Sequence, residues 1–171
     1  NIELVNEKAR AGYTTGYADP EFIGDLPLFN LPFLSRNRKY RTFQLKGESM
    51  LPIPDKSWVT GEFLQDWHDI KSGKAYIILT TADGIVFKVV ENSIEKNGML
   101  VLYSLNPLYE PYEVHINDVR EIWRFVHYIS DELPEPILPE KQLLRTVATM
   151  KQDLYQLKKS IGRDIQDATE L

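Results

Sequence analysis

Residues 74–103 read KAYIILTTADGIVFKVVENSIEKNGMLVLY. Three short apolar runs, AYIILTT, GIVFKVV and MLVLY, are separated by ADG and KNG, which carry turn chemistry. Runs of this length, rich in β-branched and aromatic residues, predict strands joined by tight turns. The pattern continues outward: TFQL and SWVTGEFL come before, YEVHI and VREIWRFVHYI after, with PDK, KSG and LNP between them. A mainly antiparallel β domain over residues 39–131 is the expectation. There is no internal repeat and no phosphate-binding loop pattern.

The flanks differ in character. Residues 1–38 contain AGYTTGYADPEFIGDLPLFNLPFL, rich in Gly, Pro and aromatics without sustained periodicity, which predicts an extended arm. Residues 132–139 hold Pro134, Pro136 and Pro139 and read as a stiff linker. In residues 140–171 the apolar positions Leu143, Val147, Met150, Leu154, Leu157 and Ile161 alternate spacings of four and three, a heptad seam. Pro139 suits the start of such a helix, and Gly162 and Asp164 predict that the seam frays near its end. The seam reads as an oligomerisation helix joining two chains, or as a helix lying on its own domain.

The 171 residues suit one domain with an appendage. With 0 Cys, disulfides, thiolate nucleophiles and Cys-ligated zinc are excluded, and a reducing, cytoplasmic location is the expectation. His68, His115 and His127 are too few and too scattered for a His-rich metal centre, so neither metal nor cofactor is expected. A formal charge of -5 argues against this segment wrapping nucleic acid by itself. No apolar stretch approaches the ~20 residues of a membrane span, so no membrane partner is expected. The chain begins with Asn1 rather than Met, and it is read as a fragment or processed form.

Chemistry concentrates in Gly47-Glu48-Ser49-Met50-Leu51-Pro52, which sets a serine at a strand-to-turn junction beside glycine. Backbone N–H groups at Ser49 and Met50 are candidates for an oxyanion hole, and an ordinary turn serine is the plainer alternative. A nucleophilic serine needs a base, and none of the histidines is well placed for the role. Lys88 interrupts the β-forming run 84–90, so its ammonium either reaches the rim or loses hydration. Desolvation would lower its pKa and make it a base for serine. The competing explanation is a lysine protecting an exposed strand edge.

GESMLP, the WVTGE run, DGIVFKVV and LYSLNPLYEPYEV together resemble the catalytic domain of the self-cleaving LexA, phage CI and UmuD family. The resemblance covers about residues 40–129. It implies a LexA-like β fold, Ser49 as nucleophile and Lys88 as general base, 39 residues apart. It also implies a self-cleavage site at Ala11-Gly12, a pair similar to the small-residue-Gly bond that such proteins cut.

Further implications are an upstream helix-turn-helix domain that carries operator binding, a homodimer, and a RecA filament as trigger. Lys56 stands where the family usually has a turn glycine, and the C-terminal helix is an addition to the pattern. The implied function is the autoproteolytic, dimerising portion of a repressor. The alternatives are a non-catalytic dimerisation or sensor module, a UmuD-like polymerase accessory, and a signal-peptidase-like enzyme acting in trans.

Overall fold

The computed structural model describes residues 1–136 and 140–169. The chain divides into two compact units, residues 1–134 and 135–171. In the first unit, all seven runs expected to be strands are strands. They are β3 (Tyr40–Gln44), β4 (Trp58–Phe63), β5 (Lys74–Thr80), β6 (Gly84–Ser93), β7 (Met99–Tyr103), β8 (Tyr112–His115) and β9 (Val119–Ile129).

The expectation of an extended arm over residues 1–38 is corrected. This segment contributes β1 (Ile2–Val5), α1 (Glu7–Gly16), α2 (Pro20–Gly24) and β2 (Leu28–Phe29). β1 pairs parallel with β3 and antiparallel with β2, so the sheet is mixed rather than wholly antiparallel. Its order is β2-β1-β3-β4-β9-β5-β6-β7-β8.

Tertiary burial explains why this segment folds despite its weak periodicity. Ile2, Val5, Tyr13 and Leu26 are all buried. Asn6 caps α1 by accepting the N–H of Ala9 (2.9 Å). One turn further on, the Tyr13 hydroxyl donates to Glu121 and accepts from Arg41 Nη1 (2.7 Å). Trp123 Nε1 also donates to Glu121 (3.0 Å), and Glu3 faces Arg41 Nε at 3.4 Å. A buried guanidinium, carboxylate and phenol satisfy one another there, tying α1 to β1, β3 and β9.

Two hydrophobic clusters share the sheet. Ile77 and Leu79 of β5 face one, with Val5, Phe43, Met50, Ile85, Phe87 and Trp123. Tyr76 and Ile78 face the other, with Val90, Leu100, Leu102 and Ile122. A strand that serves a core on each face reads as an unbroken apolar run, as AYIILTT does.

The second unit contains α4, Glu140–Thr169. Leu143, Val147, Met150, Leu154, Leu157 and Ile161 are each at least half exposed. Pro139 lies outside the described residues. The backbone is helical through Gly162 and Asp164, whose side chains are outside the description, so the expected fraying of the seam is not addressed.

Candidate active site

β3 ends at Gln44 and the chain turns through Gly47, which adopts φ +91°, a left-handed conformation that glycine takes without a Cβ penalty. The Gly47 N–H donates to Asp55 Oδ1 (2.7 Å), closing the loop that carries Ser49. Lys56, where the resemblance leads one to expect a turn glycine, takes φ +63°. The turn keeps a glycine-like backbone with a lysine in it. The Leu51-Pro52 bond is cis.

The loop after β7 holds the same turn from its other side. The Asn106 N–H donates to the Ser49 carbonyl (3.1 Å), and Asn106 Nδ2 donates to the Glu48 carbonyl (3.1 Å). These bonds engage carbonyls and leave the donors of the turn alone. Among the described residues the N–H groups of Ser49 and Met50, and Ser49 Oγ, have no hydrogen-bond partner. Met50 is buried in the core and anchors the turn.

Lys88 lies on β6, at the end of the stretch 84–88 that pairs with β5 on one side and with no strand on the other. Topology therefore leaves the edge-protection explanation standing, and burial is what weighs against it. The residue is only 7% exposed, and Nζ donates to Ser104 Oγ (2.8 Å). No carboxylate is ion-paired with it among the described residues. Desolvation lowers its pKa from the ordinary value, and the more distant charge of Asp83 opposes that shift.

Ser49 and Lys88 line two adjoining clefts. One, of about 90 Å³, includes Arg10, Leu45, Met50, Ile85 and Phe87. The other, of about 430 Å³, includes Glu48, Asp83, Tyr109 and Tyr112. The two residues singled out from sequence are therefore brought to one place, although no hydrogen bond joins them in this conformation. No histidine lines either cleft. His68 is exposed beside Asp66, His115 accepts the Asn117 N–H, and His127 packs against Phe33.

Ala11 and Gly12 lie in the middle of α1 rather than in an extended segment. A helical peptide bond turns its carbonyl along the axis and does not present it as a strand does. Gly12 has a packing role here, because a Cβ would come 2.9 Å from the Phe22 ring. α1 nevertheless borders the cleft. Arg10, next to Ala11, donates to the Gln44 carbonyl (2.7 Å) and the Ile85 carbonyl (2.6 Å).

Arg10, Ser104 and Asn106 were not identified from sequence. Only the Asn-Pro turn of LYSLNP gave any local signal for them. Residues Gly84 to Lys88 pair with β5 on one side and with no strand on the other, since the β7 pairing begins at Val89.

Among the described residues no group of His, Asp and Glu is arranged to hold a metal ion, and no helix is long and apolar enough to cross a membrane. The chain matches no protein-family model and no curated protein.

Proposed function

We propose that the β unit is a Ser-Lys peptidase of the self-cleaving LexA-like kind, acting on its own Ala11-Gly12 bond within a transcriptional repressor. The observation that carries this reading is that buried Lys88, unpaired with any carboxylate among the described residues, lines the same cleft as Ser49. Neutral Lys88 takes the hydroxyl proton as Ser49 Oγ bonds to the Ala11 carbonyl carbon. The unused N–H groups of Ser49 and Met50 receive the oxyanion. The protonated lysine returns its proton to the Gly12 nitrogen as the peptide bond breaks, and water then hydrolyses the ester.

In this scheme α1 must unwind before attack. Its sequence, EKARAGYTTG, supports that step, because two Gly and two Thr make it a poor intrinsic helix. Ser104, which holds the amine, is a positioning residue. Severing the bond would separate an upstream operator-binding domain from a dimerising unit, and dimer avidity for operator DNA would be lost with it. A RecA filament acts in this reading as an agent that favours the unwound state.

Incubation of the purified chain from neutral to alkaline pH, followed by intact-mass spectrometry, tests the proposal. The expected products meet at Ala11-Gly12, form faster as pH rises, and fall about 100- to 10,000-fold in Lys88→Ala, with none in Ser49→Ala. An intact chain under all conditions, RecA filament included, favours a sensor module. Cleavage of other proteins but not of the chain itself favours the trans-acting alternative.

A further inference from the structure

We infer that α4 pairs with a second copy of itself as a parallel, in-register, two-stranded coiled coil. This deepens the dimerisation half of the reading above and is independent of its peptidase half. The spacing of the exposed seam fixes the heptad: Val147, Leu154 and Ile161 occupy a positions, and Leu143, Met150 and Leu157 occupy d positions. β-Branched residues at two of the three a positions, with leucine at two of the three d positions, select two strands over three or four.

Charge decides the direction. Between Leu143 and Ile161 the charged positions flanking the seam are Asp153 at g and Lys151 and Lys158 at e. All three are exposed, and none is ion-paired among the described residues. In a parallel pair each g residue meets the partner's e residue five positions on. Asp153 then meets the partner's Lys158, and symmetry makes the contact twice. An antiparallel pair that overlaps the same six seam residues sets e against e. Lys151 then faces the partner's Lys158, again twice, with like charges opposed. Attraction in one orientation and repulsion in the other selects the parallel arrangement. Both chains then enter the coil from the same end, at Glu140.

The chain contains 0 cysteines, so single cysteines can report on geometry without background. Full-length Val147→Cys and Ile161→Cys are each oxidised alone and then as an equimolar mixture. Sedimentation equilibrium of the unmodified chain gives its mass. The expected result is twice the 19.9 kDa chain mass, with disulfide dimers in each single variant.

Cross-linking only in the mixture means an antiparallel coil and overturns the inference. So does a mass of one or three chains, and so does a dimer in which neither cysteine links. Asp153→Lys is expected to weaken association roughly 10-fold, with restoration on mixing with Lys158→Asp. Lack of restoration would remove the charge argument. Loss of self-cleavage in Ser49→Ala has no bearing on any of these results.

Discussion

Lys88 carries an ammonium into a place where most of its water has been replaced by protein, and among the described residues only the Ser104 hydroxyl accepts from it. The cost falls on the charged form, so the folded pKa lies below the ordinary 10.5 of the unfolded chain. Below the folded pKa both states hold the proton and the penalty is complete. Above 10.5 neither does and it is gone. Stability therefore rises with pH between the two, because the unfolded state binds more protons there. Lys88→Met removes the charge while keeping much of the length. We expect it to melt several degrees higher than the parent at neutral pH, with the difference shrinking as pH approaches 10.5. Melting curves at stepped pH measure this. A difference that stays constant would mean the amine is not desolvated, and the chemistry assigned to it would lose its basis.

α1 shows what a short element owes to its surroundings. Its docking depends on Tyr13 in the buried network and on Arg10, whose guanidinium donates to carbonyls of both Gln44 and Ile85. Ile85 lines the cleft on the open edge of β6, where an entering peptide would seek main-chain partners, and Gln44 ends β3 one residue before cleft-lining Leu45. Under the proposed chemistry Arg10 is a latch. Arg10→Ala should raise the self-cleavage rate about 10-fold, because two charge-assisted hydrogen bonds that favour the docked helix are lost. Faster amide exchange in α1 with no gain in cleavage would contradict the latch. Arg10→Lys should not restore it, since one ammonium lacks the planar fork that spans two acceptors.

A second element-scale test needs no functional premise. At Gly61, where the β4–β9 register shifts, a Cβ would lie 2.5 Å from Trp123 Cβ and 2.8 Å from Ile77 Cδ1. Gly61→Ala should cost about 1–3 kcal/mol in urea unfolding. The contrast with α1 explains what the sequence could disclose. β5 and β6 declare themselves through unbroken β-forming runs, and α4 through its heptads. α1 has no such pattern, because its partners lie up to 108 residues away at Glu121. Ser49 and Lys88 were legible through local motifs, whereas Arg10 and Asn106 act on residues 34 to 75 positions distant and leave no local trace.

At the scale of the molecule the two units are stabilised by different means. Residues 1–134 contain both hydrophobic clusters and the full sheet, so both cores are assembled within one chain. α4 keeps its six seam residues exposed in the single chain, and an amphipathic helix without a cover for its apolar face gains little from folding. If a second copy supplies that cover, helix stability follows mass action and the β unit does not. Thermal unfolding of the full chain should then show two transitions. One, seen by far-UV helicity, should move to higher temperature as protein concentration rises. The other, seen by the fluorescence of the buried Trp123, should stay fixed. Truncation after residue 136 should remove the first and leave the second within about 1 kcal/mol of its original stability, because both hydrophobic clusters are built from residues 1–134. A β transition that falls sharply on truncation would show that the two units stabilise one another, and the division of labour argued here would have to be abandoned.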